Sequence, residues 1–192
     1  MDVPMVGEVA NMKKSALFSG IEVMDLENGK IIGRINDILF FPYREKVLGF
    51  SINCGRWVKS CKILLPETIY HIGNDVITIK DKSGIVDKSS MPEIEKAIKD
   101  KNKVIGMRVF TREGDELGFL EDIIIDENNM TIHGFVISGG IIDDIIKGKS
   151  IILFEDKIIF GEDSIIIDCS EGNVMLKNEM SLKKYLENRR IE

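Results

Sequence analysis

The sequence predicts a mainly β protein made of two tandem small antiparallel β-barrels, each followed by a short α-helix. The 192 residues are 44% hydrophobic, which is enough to bury a core. Isoleucine occurs in short runs such as DIII and SIIL between Gly, Asn and Asp, a pattern that favours strands. The stretch NGKIIGRINDILF at 28–40 returns as EGDELGFLEDIII at 113–125, which indicates an internal repeat.

The repeat keeps its register over a whole segment. A shift of 85 residues aligns these pairs: Gly29 with Gly114, Gly33 with Gly118, Asp37 with Asp122, Gly49 with Gly134, and Gly55 with Gly140. With offsets of 86 before this segment and 88 after it, fourteen of the seventeen glycines find a partner. Because glycine recurs where the backbone needs a positive φ or a bulge, matched glycines indicate matched turns. Each copy is therefore expected to form the same small fold.

Five strands are predicted in each copy, and Asn28-Gly29 between apolar runs is typical of a hairpin turn. The strands lie at about 21–26, 28–40, 47–53, 62–66 and 76–80, and again at about 107–112, 113–125, 132–138, 150–154 and 164–168. Short strands with glycine bends suggest closed barrels that leave no long sheet edge exposed. The resulting division is an N-terminal extension at 1–19, a first repeat with its helix at 20–104 and a second at 105–192.

The helices are predicted from a cap and an apolar stripe. Ser90-Met91-Pro92-Glu93 has the pattern of a capping box, with Ser90 as the N-cap and Glu93 reaching back. The apolar stripe behind the cap consists of Ile94, Ala97 and Ile98. It recurs 88 residues later as Leu182, Tyr185 and Leu186. Each helix is expected to cover an open barrel end or to pack on the neighbouring copy.

One aspartate recurs within the second strand of each copy. Two-residue periodicity predicts that Gly33, Ile35, Asp37 and Leu39 share one face, as do Gly118, Leu120, Asp122 and Ile124. Asp37 and Asp122 are either acid/base carboxylates or structural carboxylates that accept backbone N–H groups where the strand bends. We favour the second interpretation because no other carboxylate or histidine recurs in register. Structural roles are assigned to Gly33, Asp37, Gly49, Gly118, Asp122 and Gly134.

Two pairs of stretches recur in register: GIEVMDLENGKIIGRINDILF with VLGFSIN, and GMRVFTREGDELGFLEDIIID with IHGFVIS. On these stretches, residues 20–172 resemble the PRC-barrel family, whose module occurs in the H subunit of photosynthetic reaction centres and in the C-terminal half of the ribosome maturation factor. The resemblance implies a module that docks onto other proteins rather than an enzyme. The chain departs from both relatives, since it has neither a membrane-spanning helix nor a separate N-terminal barrel, and it is most similar to bacterial tandem PRC-barrel proteins.

The location is expected to be cytoplasmic. No apolar run reaches the roughly 20 residues of a membrane-spanning helix, and only three apolar residues follow Lys13-Lys14, where a signal peptide needs about 7 to 15. Met12 before two lysines is typical of a natural start, so residues 1–11 are set aside. The cysteines, Cys54, Cys61 and Cys169, lack C-x-x-C spacing and are interpreted as free thiols rather than a Cys54–Cys61 redox pair or a zinc site.

Other catalytic patterns fail on spacing. In a phosphate-binding G-x-x-x-x-G-K-S loop ending at Ser150, the first glycine would fall on Asp143. The two histidines, His71 and His133, occupy unmatched positions and support neither a triad nor a metal centre. We therefore expect no catalytic residues, no metal and no cofactor.

The two copies differ in their content of charged residues. Residues 20–84 hold nine basic and eight acidic side chains, whereas 106–172 hold five basic and fifteen acidic ones. Because nucleic-acid binding requires a basic face, direct RNA or DNA binding by the second barrel is not expected. The acids are either solvated loop residues or a surface for a basic protein partner.

The loop after the third strand differs most between the copies. The first loop, GRWVKSC, contains Trp57, and the second, GGIIDDIIKGKS, contains Ile141, Ile142, Ile145 and Ile146. These five residues are candidate partner-binding residues, or they cover barrel ends or form an inter-barrel interface. The predicted function is a non-catalytic cytoplasmic adaptor that binds a protein partner, and homo-oligomerisation stays open. The alternative is an accessory factor in ribosome assembly or RNA processing that acts through a protein partner.

Overall fold

The computed structural model describes residues 12–53, 62–139, 150–153, 158–168 and 175–176. Two compact units share these residues. The first domain is Ser15–Asn102, and the second domain comprises the described parts of Met1–Lys14 and Lys103–Glu192. The described chain therefore begins in the second domain, with strand β1 (Met12–Lys14), before it builds the first.

The first domain is one curled sheet of short strands. The strands are β2 (Glu22–Asp25), β3 (Lys30–Phe40), β4 (Val47–Asn53), β5 (Lys62–Leu64), β6 (Ile69–Ile72), β7 (Val76–Ile79) and β8 (Ile85–Asp87). Their order in the sheet is β6-β7-β2-β3-β4-β5-β8. Its core is mainly Ile, Leu and Phe. The ring centroids of the fully buried Phe18 and Phe50 lie 5.7 Å apart.

The second domain repeats this order. The strands are β9 (Arg108–Thr111), β10 (Glu116–Asp126), β11 (Thr131–Ser138), β12 (Ser150–Leu153), β13 (Ile158–Phe160), β14 (Ser164–Ile167) and β15 (Met175–Leu176). They follow the order β13-β14-β9-β10-β11-β12-β15, with β1 added beside β10. The predicted fold class, two tandem small β-barrels, is confirmed.

Two features of the sheets differ from the prediction. The strands are not all antiparallel, because β7 pairs parallel with β2 and β14 pairs parallel with β9. Five short strands, β1, β6, β8, β13 and β15, were not predicted, since two to four residues carry too little periodicity to identify a strand. In the described residues each sheet is a path that ends at short edge strands rather than a closed ring.

The predicted shared face of the long strand is wrong. A register shift separates Ile35, paired with Ile52, from Asp37, paired with Ser51. Neighbouring residues of a strand point to opposite faces, so the extra residue at the bulge moves Asp37 off the face of Ile35. The second domain has the same shift between Leu120 and Asp122. Each long strand therefore supplies apolar residues to both faces of its sheet.

Helix α1 (Pro92–Val104) covers the outer face of the first sheet. Its buried Ile94 packs with Leu39 and Ile63, and Met91 and Ile98 border this cluster. The helix thus packs on its own domain. Ser90 is not the N-cap, because the helix begins at Pro92 and the Ser90 hydroxyl donates to the Asp87 carbonyl at 2.6 Å. The second predicted helix, at Leu182, Tyr185 and Leu186, lies outside the described residues.

Part of the predicted N-terminal extension belongs to the two domains. β1 pairs antiparallel with the end of β10, where Lys14 faces Ile124. Met12 packs against the buried outer cluster of the second sheet, and Lys13 forms an ion pair with Glu127 at 2.5 Å. The described part of the predicted extension therefore contributes a strand to the second domain. No helix among the described residues is long and apolar enough to cross a membrane.

Gly118 provides a test of the repeat's backbone geometry. Its φ is +131°, and a Cβ there would collide with the Ser138 carbonyl oxygen. We expect Gly118→Ala to lower the free energy of unfolding by about 3–5 kcal/mol, since strain and a backbone clash add together. Gly114→Ala is the matched control, because Gly114 has a φ of +94° with nothing near its missing Cβ and should cost about 1–2 kcal/mol. Equal losses in urea denaturation would contradict the close approach of β10 and β11.

Candidate functional site

Asp37 lies at the bulge of β3 and is bound on two sides. Its Oδ1 accepts the backbone N–H of Ile38 at 2.9 Å and contacts the Lys101 ammonium. That ammonium also donates to the Ile38 carbonyl at 3.0 Å and lies 5.8 Å from the centre of the Phe40 ring. Lys101 is only 9% exposed, so the charge that it carries into the domain is matched by Asp37 and a carbonyl. Asp37 therefore joins the bent strand to helix α1.

Lys101 was missed in the sequence, although a signal for it was present. It follows Ile94 by seven residues and Ala97 by four, so it continues the buried stripe of α1. A lysine within an apolar stripe needs a buried partner. Its partner is 64 residues away in the chain, and only the fold brings the two together.

Asp122 repeats the backbone contact of Asp37. Its Oδ1 accepts the Ile123 N–H at 2.8 Å, and the residue is 7% exposed. In both domains the carboxylate thus satisfies the strand N–H that follows the bulge. This geometry supports the structural interpretation of both aspartates, whose role stays a prediction that substitution tests.

Three further buried carboxylates hold turns or strand ends and were not predicted. Asp25 accepts the Glu27 N–H at 3.0 Å and the Asn28 side-chain amide at 3.1 Å. Asp126 accepts the Asn128 N–H at 2.9 Å. Asp168 lies 3.2 Å from the Arg112 guanidinium. The sequence signal for the first two is an aspartate two residues before a turn amide, the arrangement of an Asx-turn.

The two histidines differ in their surroundings among the described residues. His71 lies exposed on β6, and His133 lies on β11 with Nε2 4.0 Å from Asp126 Oδ2. No cluster of three or more His, Cys, Asp or Glu side chains that could hold a metal occurs among the described residues. His71 belongs to the first domain and His133 to the second.

The candidate partner-binding residues lie outside the described residues. Trp57 falls in 54–61, and Ile141, Ile142, Ile145 and Ile146 fall in 140–149. The same is true of Cys54, Cys61, Cys169 and the Gly148-Lys149 pair. The strands on either side are described, with Ile52 opposite Lys62 and Ile137 opposite Ser150. Both loops therefore connect the same pair of antiparallel strands in their respective domains.

The first domain contains a pocket of about 440 Å³ beside edge strand β6. Its lining residues are Glu67, Thr68, Ile69, Tyr70, Lys80, Asp81 and Ser83. Tyr70 is 63% exposed, the highest value among the large hydrophobic side chains that are described. The Ser83 hydroxyl, and then its backbone N–H, lower the pKa of Asp81, so this carboxylate is charged at neutral pH. The pocket carries no sequence signal because its residues come from two segments, 67–70 and 80–83, that are separate in the chain.

The contact between Asp37 and Lys101 provides a test of the structural interpretation. We expect Asp37→Asn to lower the free energy of unfolding by about 1–3 kcal/mol, because it weakens a charged hydrogen bond and leaves a buried ammonium without its counter-charge. In a protein that already carries Lys101→Met, the loss in free energy of unfolding caused by Asp37→Asn should be smaller by about 1 kcal/mol or more. Urea denaturation of the four proteins measures this coupling. Additive losses would show that the two side chains do not stabilise each other.

Comparison with known protein families gives two matches to one model, that of the PRC-barrel domain, at residues 11–86 and 99–174. A comparison with curated proteins gives no match. The first matched segment contains strands β2 to β7, the second contains strands β9 to β14, and together they cover most of the 192 residues. The chain belongs to the PRC-barrel domain family and contains two such domains in tandem.

Proposed function

We propose that the chain is a non-catalytic cytoplasmic adaptor whose two PRC-barrels present loops to a protein partner. The observation that carries the proposal is the contrast between a repeated scaffold and two dissimilar loops. Strand order, the bulge and the aspartate at the bulge are the same in both domains. A duplicated scaffold needs those features in order to fold, so they leave the dissimilar segments free to determine what is bound.

The two loops support different binding surfaces on the same framework. Residues 54–61 connect β4 to β5, and residues 139–149 connect β11 to β12. The first loop has an aromatic and basic composition, and the second is longer and rich in isoleucine and aspartate. Loops on a rigid scaffold commonly carry recognition residues, and aromatic residues are enriched at the energetic centres of interfaces.

Charge indicates the kind of partner. Residues 106–172 carry fifteen acidic and five basic side chains, so the second domain would attract a basic protein surface and repel nucleic acid. Asp122 and Asp126 are buried and bound within the fold, whereas Glu113 and Asp115 are exposed. An interaction through the exposed acids would weaken as salt concentration rises.

Substitutions in the second loop test the proposal. Ile142→Ser with Ile145→Ser should keep the melting temperature and reduce partner capture by the tagged full-length protein at least tenfold, because each buried isoleucine would contribute about 1.5–3 kcal/mol. Ile159→Ser is the matched control, since Ile159 is a 50% exposed isoleucine on β13, away from the loop in sequence. Quantitative mass spectrometry of the captured proteins gives the measurement.

The outcomes separate the two functional classes. A single non-ribosomal partner whose capture depends on Ile142 and Ile145 supports the adaptor. Ribosomal proteins among the captured species would instead favour the accessory role in ribosome assembly or RNA processing. A sharp fall in melting temperature would place these isoleucines in the core, and capture that the variant does not reduce would contradict the loop as a docking surface.

A further inference from the structure

Strand β6 has one edge that pairs with none of the described strands. It pairs with β7 on one side and ends the sheet on the other. In the described part of the chain, no backbone hydrogen bond joins Ile69–Ile72 to any strand other than β7. An unpaired edge presents a row of N–H and C=O groups, which an additional extended segment can satisfy. β6 also carries no charged side chain of the kind that commonly protects an edge.

The pocket of about 440 Å³ adjoins this edge, because Ile69 and Tyr70 belong to both. The pairing with β7 shifts register between Ile69 and His71, so Tyr70 is the additional residue of a bulge. Bulges redirect side chains. Tyr70 thus lines the pocket and is 63% exposed, at the edge where a bound chain would pass.

The charges around the pocket indicate what it can accept. Two carboxylates, Glu67 and Asp81, and one ammonium, Lys80, are among its lining groups. Asp81 Oδ1 accepts the Ser83 N–H at 2.7 Å, which fixes the position of that carboxylate. A cation can be attracted to these carboxylates and to the face of a tyrosine ring together. An anion or a phosphate backbone would meet two like charges.

We propose that the edge of β6 binds an extended peptide segment of a protein partner by strand addition, with a lysine or arginine side chain of that segment in the pocket beside Tyr70. This inference rests on the proposed adaptor function and names the chemistry of one of its partners. An extended peptide is the occupant that supplies backbone donors and acceptors to a strand edge and a cationic side chain to the adjoining pocket.

Synthetic peptides and the full-length protein test the inference. The probe is a nine-residue peptide of alternating threonine and valine with a central arginine, and the comparison peptide has glutamate at that position. Two further arginine peptides carry N-methyl groups on alternate residues in opposite phase, so that each lacks the N–H donors of one edge. Amide NMR shifts and hydrogen exchange locate binding, and fluorescence anisotropy measures affinity.

We expect the arginine peptide to shift and protect the amides of Ile69–Ile72, and the glutamate peptide to bind at least tenfold more weakly. One N-methyl peptide should bind and the other should not. Tyr70→Ala and Glu67→Gln should each weaken binding about fivefold or more, whereas Tyr70→Phe and the exposed control Ile159→Ala should leave it unchanged. Unchanged melting temperatures show that the variants are folded.

Three results would overturn the inference: no perturbation of Ile69–Ile72 by the arginine peptide, equal binding of the glutamate peptide, or equal binding of both N-methyl peptides. The proposed function fails separately. If the full-length protein captures a partner through Ile142 and Ile145 but binds no peptide at β6, the adaptor stands without this site. If it binds the arginine peptide at β6 while the loop substitutions leave capture unchanged, the edge stands and the loops do not form the docking surface.

Discussion

Each domain depends on one long strand that changes partners along its length. In the first domain, β3 pairs with β2 from Lys30 to Arg34 and with β4 from Arg34 to Phe40. The bulge in this eleven-residue strand increases its local bend and twist, which helps the sheet to curl. Two local features permit the bend. Glycine at Gly33 or Gly118 lets the neighbouring strand end approach closely, and a bulge follows three residues later with an aspartate that accepts the next N–H.

The bulge also explains why each sheet has two apolar faces. Because it shifts the alternation by one residue, Ile35 and Ile38 face the inner core while Leu39 contributes to an outer cluster. In the first domain, helix α1 covers that outer cluster, and Lys101 reaches Asp37 at its edge. In the second domain the outer cluster includes Ile124 and Val136, and Met12 packs against it. The same strand geometry therefore accounts for the placement of elements far apart in sequence.

The sequence predicted the parts of the fold that are encoded locally. The matched glycines predicted the two copies of the fold, and the strand VLGFSIN was predicted at the residues where β4 lies. What was missed depends on distant segments. The parallel pairing of β2 with β7 follows from how the chain returns across the sheet, and it leaves no local pattern. The prediction of the face on which Asp37 lies was wrong because a bulge interrupts the two-residue alternation. No apolar residue in the sequence marks that bulge.

The candidate site residues likewise differ in whether the local sequence predicts them. The aspartate at the bulge was found because it repeats, whereas Lys101 was missed because its partner lies in another element. The edge of β6 and its pocket arise from short segments, 66–72 and 80–83, that lack periodicity. The candidate partner-binding residues on the two loops carry no repeat signal, since the two loop sequences differ.

Hydrogen exchange at the amides of Ile38 and Ile123 tests the bend most directly, because these N–H groups donate hydrogen bonds to the two aspartates. Both amides should be protected in the native protein at neutral pH. Asp37→Ala should accelerate exchange at Ile38 and along β2 and β4, with Ile123 unaffected, and Asp122→Ala should do the same in the second domain. Unchanged exchange at Ile38 and Ile123 in these variants would contradict the dependence of the curled sheets on the carboxylate at the bulge.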